Sequence, residues 1–303
     1  MSRVLITGGA GFIGRHLADH LVAAGDEVTV IDNESLGSRE HLDLGAVRFV
    51  HGDLRDRDTL ARALEGQDAV VHLAADTRVM DSIENPAHNF DNNVVGTFNL
   101  LELSREAGIG RIVAASTGGA ILGEVEPPVH EEMAPHPTSP YGASKLMLEG
   151  YLSAYASSFG LSGCALRFSN IYGPRSFHKG SVVAHFFKQI LSGDPLVVYG
   201  DGGQARDFLF VGDLVAAIRA AVGSSAEGAY QLGSGTPTTV NELLDAMRRV
   251  TGLELDVVYE DFRAGEILRT WCAIDKARDA FGFDPGTPLD EGLRRTWEWF
   301  RAQ

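Results

Sequence analysis

The segment TGGAGFIG, at residues 7–14, constrains the fold most strongly, because it joins an apolar run to an amphipathic helical pattern. Glycines at this spacing allow a tight turn and a close approach of another molecule to the backbone. Through the first half of the chain, short β-branched runs alternate with longer helical patterns. The apolar runs are nearly continuous, which is typical of strands covered on both faces. This alternation predicts an α/β fold with an open parallel sheet and helices on both sides.

The individual elements follow from the same patterns. Strands are predicted at 4–7, 28–32, 47–53, 69–75 and 111–116, with a sixth at 164–173 that runs into a Gly-Pro turn. Helices are predicted at 12–24, 56–65, 86–107 and 141–159. We therefore expect a Rossmann-like, doubly wound parallel sheet.

The glycine turn has the pattern of a dinucleotide site. Gly8, Gly11 and Gly14 follow the first predicted strand and open the first helix, so that a pyrophosphate can lie on the helix N-terminus. Asp32 ends the second predicted strand. An acid at this place accepts hydrogen bonds from both ribose hydroxyls and repels a 2′-phosphate. The sequence therefore predicts NAD rather than NADP as the cofactor.

Two later strand ends contribute to the same site. GDLRD at 52–56 is expected to place Asp53 and Leu54 at the adenine. HLAA at 72–75 provides small residues that can pack against the pyrophosphate. We interpret His72 as a packed strand residue rather than a catalytic one.

The regular alternation stops after Pro174, and the segment GDGGQARD at 200–207 is glycine-rich and polar. The 303 residues are enough for one large α/β domain or for two smaller domains that share an interface. We expect an NAD-binding Rossmann domain at 1–168. A smaller, mixed domain at 169–303, expected to bind the substrate, should follow, and parts of it can pack back on the first.

Composition excludes several kinds of partner. The 41 acidic and 26 basic residues give a formal net charge of −15, which repels nucleic acid and anionic membranes. No apolar stretch reaches the roughly 18 residues of a membrane span, and the N-terminus lacks a signal-peptide pattern. We expect Cys164 and Cys272 to be buried, reduced thiols of a cytoplasmic protein.

Tyr141 and Lys145, in SPYGASK, are four residues apart and so lie on one face of a predicted helix. To act as a base near neutral pH, a tyrosine must lower its pKa by roughly 3 units, or about 4 kcal/mol. A neighbouring ammonium together with a positive nicotinamide ring can supply this in a water-poor site. The alternative is a surface tyrosine beside a solvated lysine.

Seven segments occur in order along nearly the whole chain: TGGAGFIG, GDLRD, HLAA, NNVVGTFNLLE, STGG, YGASK and RFSNIYGPR. Together they resemble the extended short-chain dehydrogenase/reductase family, in particular its nucleotide-sugar 4-epimerases of the UDP-glucose and UDP-glucuronate type. The resemblance implies bound NAD, a UDP-sugar substrate and a homodimer whose four-helix interface uses the helical regions 86–107 and 141–159. A plain core stripe on these helices is the alternative.

The segment STGG distinguishes between the reactions of this family. Thr117 matches the Ser or Thr that hydrogen-bonds the sugar O4 and relays its proton to the tyrosine. Related dehydratases carry Asp-Glu directly after that hydroxyl, and related uronate decarboxylases carry Glu two positions after it, whereas this chain has Gly118 and Gly119. Without such an acid, the 4-keto sugar has little to do except take its hydride back. The resemblance thus implies C4 epimerisation, with Thr117, Tyr141 and Lys145 as catalytic residues.

The resemblance also assigns binding residues. The cofactor positions are Gly8, Gly11, Phe12, Ile13, Gly14, Asp32, Asn33, Asp53, Leu54, Leu73, Ala74, Ala75, Asn93, Ser116, Tyr141, Lys145 and Phe168. The substrate positions are Arg78, Thr117, Asn170, Arg175, His178, Val183, Arg206, Arg263 and Thr270. Among these, Asn170, Arg206 and Arg263 match positions that bind the diphosphate or the uridine. Departures from the family pattern at Leu122, Gly212 and Ala264 remove no proton-transfer group.

The type of sugar depends first on Arg78, in ADTRVMDS, on a loop that lines the sugar pocket in relatives. A buried arginine there needs an anionic partner, which the C6 carboxylate of a hexuronate would supply. The alternative is that Arg78 is exposed, or is paired with Asp76 or Asp81.

Other residues bear on the same choice. Arg175, His178 and Lys179 add positive charge, although Lys179 can equally be solvated. The small Thr270 leaves room in the sugar site without naming the substituent. From these residues we expect a slight preference for UDP-glucuronate and UDP-galacturonate over UDP-glucose and UDP-galactose.

Three further interpretations compete. One is an NAD(P)H-dependent nucleotide-4-keto-sugar reductase, and another is a non-catalytic NAD-sensing protein, which would need none of the three catalytic residues. The third is a metal site at His16 and His20, which are four residues apart. No third ligand is evident, and Arg15 and Asp19 suggest a solvated face, so we expect no metal.

Overall fold

The computed structural model describes residues 1–262 and 268–303. Arg263 and Ala264, which the sequence analysis singled out, lie outside these ranges. The strands are β1 (Arg3–Thr7), β2 (Glu27–Asp32), β3 (Val47–His51), β4 (Ala69–His72), β5 (Arg111–Thr117), β6 (Ser162–Phe168), β7 (Asn170–Tyr172), β8 (Leu196–Tyr199), β9 (Ala205–Arg206), β10 (Phe208–Phe210), β11 (Gly228–Leu232), β12 (Thr238–Thr239) and β13 (Val257–Glu260).

The helices of the first half are α1 (Phe12–Ala23), α2 (Arg57–Leu64), α3 (Val79–Glu84), α4 (Pro86–Asn89), α5 (Gly96–Glu106), α6 (Gly118–Leu122) and α7 (Pro140–Phe159). Those of the second half are α8 (Val182–Ser192), α9 (Val211–Val222), α10 (Val240–Thr251), α11 (Asp275–Phe281) and α12 (Leu289–Phe300). A 3₁₀ turn covers Arg39–His41, and a π-helical segment covers Phe90–Val95.

The main sheet has seven parallel strands in the order β3-β2-β1-β4-β5-β6-β11. In β1, Val4 and Ile6 pack in one buried cluster with α1, whereas Leu5 packs in another with α2, α5 and α7. Alternate side chains of a strand point to opposite faces, so the sheet is covered on both sides. This confirms the predicted Rossmann-like fold. The strand order reverses between β1 and β4, where ligands of such sheets bind beyond the carboxyl ends of the strands.

The predicted strand at 164–173 is two strands in two different sheets. β6 ends at Phe168, and β7 pairs in parallel with β10 in a separate two-stranded sheet. The backbone changes direction because the Ser169 amide donates to Leu232 O at 2.9 Å, while the Asn170 amide donates to Asp207 O at 3.0 Å. The predicted helix at 86–107 is likewise divided into α4, the π-helical segment and α5.

Residues after 168 contribute to more than one layer. β11 joins the main sheet beside β6, whereas β9 pairs with β12 and β8 pairs with β13 in small separate sheets. Cys164 and Cys272 are buried free thiols, as predicted. In the ranges that the structure describes, no helix is both long enough and apolar enough to cross a membrane.

Candidate active site

The turn between β1 and α1 has the shape that a pyrophosphate needs. Gly8 has φ +69°, and a Cβ there would lie 2.7 Å from the Ala74 amide nitrogen. A Cβ on Gly14 would lie 2.5 Å from the Gly8 carbonyl oxygen, so α1 packs directly on the turn. At Gly11 the one atom within 4 Å of such a Cβ is Gly8 O at 3.2 Å, which leaves this side of the turn open. The arrangement fits a dinucleotide phosphate approaching the first turn of α1.

Asp32 lies at the end of β2 beside this turn. Its carboxylate accepts hydrogen bonds from the Ala10 amide at 3.0 Å and the Glu34 amide at 2.7 Å. Burial raises the pKa of Asp32, and the two amides oppose that shift. Nearby, the Asp53 carboxylate accepts from Asn33 at 3.0 Å and from Arg55 at 2.8 Å. The Arg55 hydrogen bonds hold the pKa of Asp53 well below its usual range.

The end of β4 packs against the glycine turn between β1 and α1. His72 is buried and hydrogen-bonds Thr7 Oγ1 at 2.7 Å and Thr97 Oγ1 at 3.0 Å. Burial lowers its pKa to about 3, so it is neutral, as expected for a packed strand residue. The next segment is held by Asn93, whose amide accepts from the Asp76 amide at 2.8 Å and donates to Asp76 O at 2.9 Å. Leu73, Ala74 and Ala75 are thereby fixed beside the glycine turn.

The three predicted catalytic residues come from two neighbouring elements. Thr117 ends β5, and Tyr141 and Lys145 lie in the first turns of α7. Ser139 caps α7 by accepting from the Gly142 amide at 3.1 Å, and Pro140 occupies the first helical position. Within residues 1–262 and 268–303, neither the Thr117 hydroxyl nor the Tyr141 phenol has a hydrogen-bond partner. Both groups are therefore available to a ligand.

The electrostatics of Tyr141 and Lys145 are dominated by burial. Burial raises the pKa of Tyr141 to about 12. It lowers the pKa of Lys145 to about 8, and the charge of Glu149 opposes that shift. The expected lowering of the Tyr141 pKa by Lys145 is not found, because the ammonium donates to Ala115 O at 2.9 Å instead.

A cavity of about 270 Å³ opens beyond the carboxyl end of β5. Its lining residues are Thr117, Gly118, Gly119, Val129, Phe168, Ser169, Asn170, Arg206, Asp207, Thr270, Trp271 and Cys272. It thus brings together five of the predicted site residues: Thr117, Phe168, Asn170, Arg206 and Thr270. A Cβ on Gly119 would meet no atom within 4 Å, so there is open space beside this residue.

The structure also shows pocket residues that the sequence analysis missed. Asp207 is buried, and its carboxylate accepts from the Ser234, Gly235 and Cys272 amides at 2.5–3.1 Å. It therefore joins its own part of the cavity wall to Cys272 on the same wall and to the adjacent turn at Ser234 and Gly235. Its position next to Arg206 in QARDF was the available signal, but its partners are distant in sequence.

Four predicted substrate residues do not line this cavity. The Arg78 side chain is 63% exposed and pairs with Asp81 at 2.8 Å and Asp76 at 4.0 Å. His178 is exposed, and Val183 is buried within α8. Arg175 pairs with Asp19 at 2.6 Å.

The face of α1 that carries Arg15 is not solvated, contrary to expectation. Arg15 is buried and donates to the Arg175 carbonyl, and His16 hydrogen-bonds Pro174 O at 3.0 Å. The loop after β7 therefore covers this face of the helix. Burial lowers the pKa of His16. Lys179 lies 5.3 Å from the Phe12 ring centroid, and burial lowers its pKa, so it is not simply solvated. No group of three or more His, Cys, Asp or Glu side chains within 1–262 and 268–303 could hold a metal ion.

Several known proteins are similar to this chain in sequence, and some of them also in structure. The UDP-glucose 4-epimerase of Thermus thermophilus, solved with NAD, is 41% identical over 99% of both chains with a TM-score of 0.91. That of Thermotoga maritima, solved with UDP-glucose, is 37% identical over 99% of both chains with a TM-score of 0.94. The UDP-glucuronate 4-epimerase of Thermodesulfobacterium geofontis is 32% identical, covering 99% of this chain and 96% of the relative.

A match to a family model supports NAD as the cofactor. The model for the NAD dependent epimerase/dehydratase family matches residues 4–233, which include the glycine turn, Asp32, Thr117, Tyr141 and Lys145. With the fold and the similarity over the full length, this match shows that the chain belongs to the NAD-dependent epimerase/dehydratase family.

Proposed function

We propose that this chain is a UDP-sugar 4-epimerase, an isomerase that inverts C4 through a transient 4-keto sugar. The proposal is carried by one observation: the Thr117 hydroxyl lies on the cavity wall and is followed by Gly118 and Gly119. The neighbouring helix α7 presents Tyr141 and Lys145, both buried. Relatives that are 4-epimerases of UDP-sugars support the substrate class.

The chain's own residues account for the proton transfers. Tyr141, as phenolate, accepts the O4 proton through the Thr117 hydroxyl, and it returns a proton after the sugar has turned over. When bound, NAD supplies a reversible hydride acceptor for C4 and a positive ring close to the tyrosine. Because Gly118 and Gly119 supply neither acid nor base, the positions that follow Thr117 offer no catalyst for elimination of water. The 4-keto sugar is therefore reduced back on its other face.

The base role of Tyr141 requires a large change in its pKa. Burial holds this pKa at about 12. Reaching neutral pH means a shift of about 5 units, or about 7 kcal/mol. The Lys145 ammonium supplies part of this, because it has three N–H donors and can stabilise the phenolate with one of them while another stays on the Ala115 carbonyl. Tyr141 is accordingly a base in the loaded enzyme and a neutral phenol without ligands.

The anionic part of the substrate needs a cation in an acidic protein. Arg206 and Asn170 lie on the same cavity wall as Thr117 and are suited to a diphosphate. A sugar that must turn over cannot be held tightly, so the nucleotide diphosphate supplies the binding energy. Arg263, the other expected contact, lies outside the described residues.

For the sugar itself, we propose a neutral hexose, UDP-glucose or UDP-galactose, in preference to a hexuronate. Arg78, on which the expectation of a uronate rested, already lies between the Asp76 and Asp81 carboxylates. This group of three carries a net negative charge, which disfavours a C6 carboxylate. Arg175 is likewise paired with Asp19.

A substrate panel tests both proposals. The purified protein, with no added cofactor, is incubated with UDP-glucose or UDP-glucuronate, and the sugar is followed by NMR. We expect the 4-epimer in both cases, with kcat/KM at least tenfold higher for UDP-glucose, and we expect Arg78→Ala to change the two values equally. Faster turnover of the uronate, lost selectively in Arg78→Ala, would restore the uronate assignment. Conversion of the sugar only with added NAD(P)H would indicate a reductase. If no nucleotide sugar were converted, the protein would be an NAD sensor.

We further propose a homodimer formed through the outer faces of α5 and α7. Phe98 and Tyr151 are each 40% exposed, and their rings contact each other edge-on at 6.0 Å. Further along α7, the exposed Phe159 contacts Tyr155, which contacts Tyr151. Neighbouring apolar side chains on one exposed face are typical of a protein interface.

Phe98→Glu is expected to separate the subunits, because it places a charge in the centre of this face. Sedimentation should give about twice the 32.5 kDa chain mass for the parent and 32.5 kDa for the variant. Leu253→Glu, at an exposed leucine far from these helices in sequence, is the control and should remain dimeric. A Phe98→Glu variant of unchanged mass would place the interface elsewhere.

A further inference from the structure

A buried ion pair lies directly behind the proposed catalytic residues. The Arg167 guanidinium donates to both carboxylate oxygens of Glu149, at 2.9 and 2.7 Å. The two side chains are 4% and 11% exposed. A buried ion pair adds little net stability, because desolvation offsets the attraction, although loss of one partner is costly. The pair therefore calls for a reason other than stability.

The same carboxylate also holds the end of β5. Ser116 Oγ donates to Glu149 Oε1 at 2.6 Å, and Ser116 is the register partner of Arg167 on the neighbouring strand. Glu149 thus joins α7 to β5 and β6 at the level of the active site. The Ser116 hydroxyl, expected to contact the cofactor, is directed to Glu149 instead.

Glu149 continues a single line of side chains on α7. Tyr141, Lys145 and Glu149 are spaced four residues apart, so they lie one above the other on one face. Lys145 donates to Ala115 O, and Glu149 accepts from Ser116 Oγ. These two contacts, to consecutive residues, fix how α7 lies along the end of β5. They thereby set where Tyr141 stands relative to the next strand residue, Thr117.

The carboxylate also acts on the charge of Lys145. Burial lowers the pKa of Lys145 to about 8, and Glu149 is the group that opposes this. The Lys145 charge adds to the burial that lowers the pKa of His72, from β4, to about 3, so this neighbour is neutral. Arg167, from β6, is the cation paired with the Glu149 carboxylate, at 2.7 Å. Within the described part of the chain, Glu149 is thus the anion that stabilises this ammonium.

We propose that Glu149, anchored by Arg167, is a positioning residue that sets the placement of α7 on β5 and keeps the Lys145 ammonium charged for Tyr141. This inference rests on the proposed function, because it gives Lys145 its part in the proton transfer. It adds a residue that touches neither substrate nor cofactor.

Glu149→Gln in the NAD-loaded enzyme tests the proposal, because the amide keeps the shape of the side chain but not its charge. We expect kcat for UDP-glucose to fall at least tenfold, with KM and NAD content within twofold of the parent. The alkaline limb of the kcat profile, which reports loss of the Lys145 proton, should move to lower pH by about 1 unit. Glu102→Gln, at another carboxylate that hydrogen-bonds α7 through Tyr155, should leave the limb in place.

A second variant separates charge from folding, because an unpaired buried Arg167 can destabilise the chain. Arg167→Lys keeps both charges of the pair but loses the bidentate geometry. Its alkaline limb should coincide with that of the parent even if its stability falls. An Arg167→Lys limb shifted as far as that of Glu149→Gln would overturn the charge role, as would a Glu149→Gln enzyme with the parent's kcat and profile.

A measurement independent of activity distinguishes this inference from the proposed function. The chain has four lysines, at 145, 179, 188 and 276, so ¹³C-lysine NMR can follow each titration. The Lys145 midpoint should fall in Glu149→Gln while the other three stay constant. This fall in a protein that epimerises nothing would refute the proposed function and leave the role of Glu149 standing. An unchanged Lys145 midpoint in a Glu149→Gln protein whose parent is an active epimerase would refute the role of Glu149 and leave the proposed function standing.

Discussion

Replacing Tyr141 by Phe is expected to lower kcat for C4 inversion by about 10³-fold, because proton transfer by a positioned base contributes rate factors of roughly that size. The ring is buried, and in the described residues its hydroxyl has no protein partner, so its removal should disturb neither the fold nor NAD content. Steady-state kinetics and NAD absorbance after denaturation measure both quantities. Tyr155→Phe, on the same helix, removes a hydroxyl that contacts Glu102 and should retain activity.

Two outcomes for Tyr141→Phe would contradict this prediction. If the variant inverted its sugar as fast as the parent, another group would have to remove the O4 proton. Loss of activity accompanied by loss of bound NAD would instead assign Tyr141 to cofactor binding.

The second large effect is expected at Gly142, where α7 lies directly on α6. A Cβ there would collide with the Ala120 carbonyl oxygen and approach Pro137 Cβ to 3.2 Å. Gly142→Ala must therefore push apart the helix that follows Thr117 and the helix that carries Tyr141. We expect the free energy of unfolding to fall by about 3 kcal/mol. At temperatures where the variant remains folded, kcat should fall about 100-fold, because small displacements of catalytic groups have such effects.

Gly150 provides the matched control for Gly142. It is an exposed glycine of the same helix, and a Cβ there would meet no atom within 4 Å. Gly150→Ala should raise the free energy of unfolding by about 0.5–1 kcal/mol, since alanine favours a helix more than glycine does. Urea unfolding followed by circular dichroism measures both variants. Equal stabilities for the two alanine variants would contradict the close approach of α6 and α7.

Those parts of the site that depend on local patterns could be predicted from the sequence. The glycine turn, Asp32 at the end of β2 and the i, i+4 pair Tyr141 and Lys145 each follow from spacing within one element or turn. The same holds for Thr117, which ends a predicted strand. Parallel strands bring their carboxyl ends to one edge of the sheet, so these local features meet without further information.

The parts that were missed depend on contacts between distant segments. The strand predicted at 164–173 is divided because Ser169 and Asn170 bond to Leu232 and Asp207, which come much later in the chain. Arg15 is buried because its partner, the Arg175 carbonyl, lies on a loop that returns to α1.

Glu149 shows the same limit within the site. Its position on α7, four residues after Lys145, was visible in the sequence, but nothing local predicts that the register of β5 and β6 places Ser116 and Arg167 on its carboxylate. The ion pairs of Arg78 also depend on the fold. A charged residue on a pocket loop says little about a substrate until its neighbours in the fold are known.

In the proposed reaction, a hydride leaves C4 and returns to the same carbon of the same sugar, while Tyr141 moves only the O4 proton. UDP-glucose deuterated at C4, incubated with the purified enzyme and no added cofactor, tests this directly by NMR and mass spectrometry. We expect UDP-galactose that retains deuterium at C4, with no hydrogen taken up from water. Loss of the label to water, or product formation only when reduced cofactor is supplied, would contradict it.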